Sequence, residues 1–413
     1  MNQLLRSHAD AIVTEAIRQV QPDEAVRRVL SGRSFDGKGR LLLIAAGKAA
    51  WSMARAAWDC LGDRLNGGVV ITKHDHAQGP IGPLTIREAG HPVPDGDTFS
   101  ATAEALALTR DLTAQDVVLF LLSGGGSALF ESPLIPQEAL QDVTRQLLAC
   151  GADIVEMNTV RKRLSAVKGG RFAQHCAPAH VLAIVLSDII GDPLDMIASG
   201  PAYPDASTCA DALAVAEKYG LKLSGAASAC LREETPKTLN NVETHITGSV
   251  RELCRAAAQV CRELGYEPVT LTDCLDCEAR EAGAFLAAIA RSHQDSDRSL
   301  AFLAGGETVV HLTGKGLGGR NQELALSAAQ GLSGLRDTAL FSVGSDGTDG
   351  PTDAAGGYVD GDTQAQLEGQ GVKIFEVLKD NDAYHALQKS GGLMVTGATG
   401  TNVNDVAVLL IHR

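Results

Sequence analysis

The stretch at residues 117–130, VVLFLLSGGGSALF, constrains the fold more than any other part of this chain. Its first six residues are apolar and have no helical period, which suits a strand buried on both faces. The run then breaks at Ser123, Gly124, Gly125, Gly126 and Ser127. A strand that ends in glycines and passes into a helix aims free N–H groups at whatever lies there, and glycine lets an anion approach the backbone closely. The loop therefore reads either as a cradle for a phosphate or carboxylate or as a tight β-to-α turn. It is not a Walker A loop, because no Lys-Ser/Thr pair follows.

Residues 41–46 (LLLIAA) read as a second buried strand, followed by Gly47, Lys48, a helix over 49–60 and a strand over 67–72. Strand, helix, strand is the signature of a parallel sheet. Lys48 falls at a strand's C-terminal edge, where open α/β sheets bind ligands; its alternative is a solvated surface lysine. A helix over 98–112 leads into the 117–122 strand. Residues 158–171 (NTVRKRLSAVKGGR) predict one helix that stops at Gly169-Gly170. It carries Arg161, Lys162, Arg163, Lys168 and Arg171, the densest positive cluster, which is either a functional patch or a solvated basic face. The strand at 180–186 runs into Ser187-Asp188 and a Gly/Pro loop with Asp192, Asp195, Ser199 and Gly200. Asp188 is a candidate base or metal ligand there, or else a cap or turn residue.

Residues 236–241 lack core periodicity and read as a linker. Beyond them α/β alternation resumes, with short strands expected at 300–304 and 308–312 around Gly305-Gly306-Glu307. Residues 314–323 (GKGLGGRNQE) open a helix over 321–332 and match G-x-G-x-x-G. As a dinucleotide fingerprint this is weak, because the strand after it ends at Asp346, farther than the roughly 20 residues expected for the ribose-binding acid. Arg320 at the loop tip suits a phosphate better. Asp346, Asp349 and Asp353 lie close together in SVGSDGTDGPTD; they could hold Mg²⁺ or form Asx turns. A Gly/Thr/Asn-rich loop with Asn402 and Asp405 precedes the last buried strand.

Length and charge bound the function. At 413 residues the chain predicts two or three domains. A net charge of −14 argues against nucleic-acid and anionic-membrane binding, and 4% aromatic residues leave little for a stacking platform. The closest cysteine pair among nine, Cys274 and Cys277, is ringed by Asp273, Asp276 and Glu278, which works against a redox role. No signal-peptide core or spanning run is evident, so a soluble, cytoplasmic protein is expected.

Taken together the loops carry a resemblance. LLSGGGSALF, NTVRKRLSAVKGGR, SDIIGDPLDMIASGP, GGETVV, GKGLGGRNQE, SDGTDGPTDAAG and TGATGTNVND, in that order, resemble the MOFRL-type glycerate kinases, the glycerate 2-kinase family, some members of which are named hydroxypyruvate reductase. Ala202 and Ala398 are small departures that touch no charged position. The resemblance implies two three-layer α/β domains: a Rossmann-like N-terminal domain over 1–237 and a mixed-sheet MOFRL-type domain over 238–413, with the active site in a cleft between them. It implies phosphorylation of glycerate by ATP with Mg²⁺ or another divalent cation. Lys48 and Arg320 occupy the positions the family treats as essential, and phosphoryl transfer asks for such positive charge.

On that reading Ser123 to Ser127 hold an anion, either a nucleotide phosphate or the glycerate carboxylate, with Lys168 and Arg171 assisting the carboxylate. Gly200, Glu307, Gly319, Asn321 and Asn402 complete the expected nucleotide and substrate contacts. Asp188 is the candidate base or metal contact, with Asp346, Asp349 and Asp353 as rival metal ligands. Alternatives are a nicotinamide-dependent hydroxypyruvate reductase using Gly314 to Gly319, a kinase forming 3-phosphoglycerate, and a non-catalytic anion binder. Oligomeric state stays open, a homodimer among the options.

Overall fold

Six strands form the first sheet: β1 (Leu41–Ala46), β2 (Gly67–Lys73), β3 (Thr85–Ala89), β4 (Val117–Leu122), β5 (His180–Leu186) and β6 (Val242–Gly248). In the computed structural model, which describes residues 1–413, their order is β3-β2-β1-β4-β5-β6. Strands β1 to β5 pair in parallel. Both faces are covered, as continuous apolar strands require. Leu42, Ile44, Val118, Phe120, Val181 and Ala183 face a core with helices Gly96–Leu108 and Arg171–Cys176. Leu41, Leu43, Leu119, Leu121, Leu182 and Ile184 face another with helices Pro22–Leu30 and Ala50–Leu61. The strand order reverses between β1 and β4, so the loops after these two strands flank the switch point at which such sheets bind ligands.

The second sheet is mixed. Strands β7 (Glu267–Leu275), β8 (Leu300–Gly306), β9 (Thr338–Gly344), β10 (Gly356–Asp360), β11 (Leu393–Met394) and β12 (Asp405–Ile411) run in the order β11-β10-β9-β12-β8-β7. Strand β12 pairs antiparallel with β8 and β9, and β7 pairs parallel with β8. Helices Ala279–Ser292 and Arg320–Leu332 cover one face. Helices Gln3–Gln19 and Val250–Glu263 cover the other.

That last pairing revises the domain division. The chain separates into Pro22–Thr247 and a second unit of Met1–Gln21 with Gly248–Arg413, rather than into the contiguous 1–237 and 238–413. Leu5, Ala9, Ile12, Val13, Ala16 and Ile17 form the apolar stripe of the first helix. Such a stripe announces that one face is buried but not against what. Residues 236–241 belong to the first unit: Asp205 N–H donates to Pro236 O and Val181 N–H to Asn241 O, and the chain then enters β6.

Two local expectations also change. Residues 158–171 are not one helix; helix Ile154–Arg163 ends, and helix Arg171–Cys176 starts after Gly169 and Gly170, both at positive φ. Residues 308–312 form no strand, only an isolated bridge between Val309 and Glu278.

Candidate active site

The loops after β1 and β4 are laced together at the switch point. Lys48 N–H donates to Gly124 O (2.9 Å), Ser123 N–H to Ala46 O (3.1 Å), and Ala49 N–H to Ser123 Oγ (3.0 Å). Gly47 makes this approach feasible: it sits at φ +129°, and a Cβ there would stand 2.2 Å from Ser123 Oγ. The Ser123 hydroxyl is thus buried in the scaffold and holds the two loops together. By contrast, the amides of Gly124 and Gly125 are spent on no backbone carbonyl. Both stand beside chemistry. A Cβ on Gly124 would meet Asp188 Oδ2 at 2.4 Å, and one on Gly125 would meet His91 and Lys48 Cγ at 3.0 and 3.3 Å. Lys48 is exposed, and its ammonium makes no hydrogen bond or ion pair in the fold.

One sheet edge therefore gathers two open amides, an unpaired ammonium, the Asp188 carboxylate and the His91 imidazole. Burial, and then the charges of Lys48 and Lys73, hold His91 below the usual imidazole pKa, so it is neutral near pH 7. Sequence reasoning missed His91 because β3, which delivers it, is TIREA and carries no apolar run.

The basic cluster of residues 161–171 is neither a solvated face nor, for most of its members, a ligand contact. Lys162 pairs with Asp195 and Asp205, and Arg163 bonds Thr159 O, Ser207 and Glu234. Lys168 is fully buried and gives its ammonium to Ser127 O (2.8 Å), Phe130 O (3.0 Å) and the Glu131 carboxylate (3.1 Å). Two of its three N–H donors are spent on carbonyls and its charge on Glu131, and full burial closes it to a substrate carboxylate. Arg171 caps the end of helix Ile154–Arg163 through the carbonyls of Lys162, Arg163 and Ser165. The expected assistance from Lys168 and Arg171 is replaced by a structural role: Lys168 pins the loop that follows Gly126. Ser127 Oγ meets Ser199 Oγ at 3.2 Å, and Ser199 donates to Asn158 Oδ1. Gly200, at φ +64°, ends this turn, and its carbonyl accepts from Gly170 N–H.

In the second unit Arg320, Glu307, Gly319, Asn321 and Asp349 come together. The Arg320 guanidinium is forked onto Asp405 and paired with Glu307 (2.9 Å). It is already neutralised by carboxylates rather than open to a phosphate. Asp405, which the sequence reading left out of the site, begins β12 opposite Gly306 and Gly344, and that register sets it beside Glu307. Asn404 Nδ2 donates to Glu307. Asp349 accepts from the amides of Asn321 (3.1 Å) and Gln322 (2.8 Å) at the start of helix Arg320–Leu332. Gly319 is glycine because Asp349 occupies the place of its side chain. Burial raises Asp349 to about 6 despite those two amides. Asn402 is exposed, with Oδ1 turned to Asn404 N–H.

The first part of the G-x-G-x-x-G loop is filled from within the same unit. Gly314 and Thr313 N–H donate to Asn381 Oδ1, Lys315 N–H to Asp380 Oδ1, Gly316 N–H to Asp380 O, and Leu317 N–H to Asp382 Oδ1. The amides of residues 313–317 are thus closed to a pyrophosphate, which disfavours the nicotinamide alternative.

The three rival acids do not converge as one cluster of ligands. Asp349 is committed to two amides, Asp346 accepts from Thr348 N–H, and Asp353 accepts from Tyr384 Oη–H. Only His74, Asp95 and Asp97 bring three ligand atoms within reach of one ion, on the exposed surface.

Comparison with known proteins agrees with this geometry. Residues 8–232 match a domain of unknown function, DUF4147, and residues 300–405 match the MOFRL family. A D-glycerate 2-kinase of Thermotoga maritima is 52% identical over 98% of both chains, and a glycerate 2-kinase of Pyrococcus horikoshii is 38% identical over 97% of this chain and 96% of that one. The crystal structure of a glycerate kinase from Thermotoga maritima superposes with a TM-score of 0.94, covering 99% of this chain and 100% of the other. With a doubly wound unit whose switch-point loop is open to an anion, a mixed-sheet unit matching MOFRL, and full-length relatives of that name, the chain belongs to the MOFRL-type glycerate kinase family.

Proposed function

We infer that this protein transfers the terminal phosphoryl group of ATP to D-glycerate and releases 2-phosphoglycerate and ADP. The observation that carries the reading is the switch-point loop: two unspent amides beside an unpaired lysine, at the edge where doubly wound sheets bind ligands. Lys48 lends its charge to the phosphoryl oxygens as they shift toward the transition state, and its amide bond to Gly124 O fixes the loop that receives them. Lys168 holds that loop from beneath.

Asp188 stands against Gly124, where its negative charge would repel a phosphate. Two roles resolve this conflict: acceptance of the glycerate hydroxyl proton, or contact with a divalent cation. Mg²⁺ suits a site of one or two carboxylates completed by phosphate oxygens and water, and Asp188 is the residue that fits it. The ion would neutralise charge on the phosphates.

Phosphorus NMR of the product from ATP and D-glycerate tests the activity and the position of transfer together. The expected result is 2-phosphoglycerate with stoichiometric ADP; NADH consumption with hydroxypyruvate and no ADP would overturn it. Lys48→Ala is expected to keep its melting temperature, because the ammonium supports nothing in the fold, and to lose kcat by about 10²–10³-fold.

A further inference from the structure

We propose that Arg161 holds the carboxylate of the substrate acid. This rests on the glycerate-kinase reading and names the residue that would select its substrate. Of the five cations at residues 161–171, four have acceptors that engage their donors, as described above. Arg161 differs. Its Nη2 reaches Ser127 O at 3.4 Å, longer than an ordinary N–H···O bond, and its Nε is sealed from solvent with no acceptor; Arg163 Nε is also without one, but both Nη groups of Arg163 are engaged. A guanidinium has five N–H donors, and buried donors without partners are rare enough in folded proteins to call for a reason.

Charge points the same way. Beneath the segment after Gly126, Arg161 and Lys168 share one carboxylate, Glu131. One positive charge is left without a counter-ion on a half-buried residue, where it is costly to leave uncompensated. A single carboxylate balances it; a polyphosphate exceeds it. The flat guanidinium fork also matches a carboxylate in shape.

The neighbouring groups are polar. Asn158 lies one turn before Arg161 on the same helix face and accepts from Ser199, whose hydroxyl meets that of Ser127. Ala198 and Ser199 adopt φ of +50° and +62°, a conformation that costs non-glycine residues energy and gathers at ligand sites. The Ser127 hydroxyl, with the Arg161 donors, would frame the bound carboxylate.

The test compares the full-length wild type with Arg161→Gln and Arg161→Lys, using D-glycerate, glycerol and ATP. Arg161→Gln is expected to raise KM for D-glycerate by about 10–100-fold, the span for loss of a charged hydrogen bond. KM for ATP should stay within twofold, and the preference for glycerate over glycerol, which has no carboxylate, should collapse. Arg161→Lys should lie between, and its melting temperature separates a binding loss from misfolding. A rise in KM for ATP would assign the guanidinium to a phosphate and overturn the proposal, as would an unchanged KM for glycerate. If the wild type does not turn over glycerate, the kinase reading fails on its own. Thermal stabilisation by D-glycerate then decides on Arg161: a shift present in wild type and lost in Arg161→Gln supports it, and no shift or an equal shift overturns it.

Discussion

At the scale of single residues, what matters is whether a polar group still has capacity to spare. Lys48 and the Gly124 and Gly125 amides have it; Lys168 and the amides of residues 313–317 do not. Gly124 shows how narrow the margin is. A methyl group there would stand 2.4 Å from Asp188 Oδ2, so Gly124→Ala must push the carboxylate aside. The expected outcome is a protein that melts within a few degrees of wild type and loses at least about tenfold in kcat/KM, read by ADP release. Wild-type kinetics in this variant would remove Asp188 from the site. These positions were legible in the sequence because a strand end, a glycine and a lysine are local signals. The roles of Lys168 and Arg171 were not: a sequence displays a charge but not the carbonyls and carboxylates that consume it. Arg320 misled in the same way, since its partners Glu307 and Asp405 come from other strand ends.

Among elements, the segments that the sequence revealed were those buried on two faces, β1, β4, β5, β8, β9 and β12, whose apolar runs need no context. Strand β3 and the two-residue β11 stayed hidden because their neighbours, not their own residues, make them strands. Two helix ends carry energy that can be measured. Lys168→Ala would take away the ammonium that pairs with buried Glu131 and free the carbonyls of Ser127 and Phe130. It is expected to cost about 3–5 kcal/mol, read as a lower denaturant midpoint, with the first unit unfolding earlier.

At the start of helix Arg320–Leu332, burial lifts Asp349 from 3.8 to about 6. The folded protein therefore holds this proton more tightly than the unfolded chain does. The resulting contribution is complete below the unfolded value and fades as pH rises through about 6. Two pKa units correspond to about 3 kcal/mol. Asp349→Asn, which cannot titrate, should flatten the fall in stability over that pH window by up to this amount in denaturant melts. An unchanged slope would show that the two helix amides keep Asp349 ionised.

For the whole molecule, the two-unit architecture was readable but its ownership was not. The break was expected at residue 237, whereas the first unit runs to Thr247 and the opening helix belongs with the second. Ile12 is fully buried in the core built on β8, β9 and β12. Ile12→Ala is expected to cost about 2–5 kcal/mol. Hydrogen exchange should localise the loss to residues 248–413 and leave β1 to β5 protected. Loss confined to the first sheet would refute the assignment.

The placement of helix Gln3–Gln19 also sets an order of events on the ribosome. The helix is translated ahead of the whole first unit, yet the helix it packs against begins only at Val250. At 5–20 residues per second, its oily stripe waits on the order of 10–50 s for cover. A nascent chain stalled at the close of that interval carries a finished first unit behind a bare, sticky helix that no completed copy ever displays.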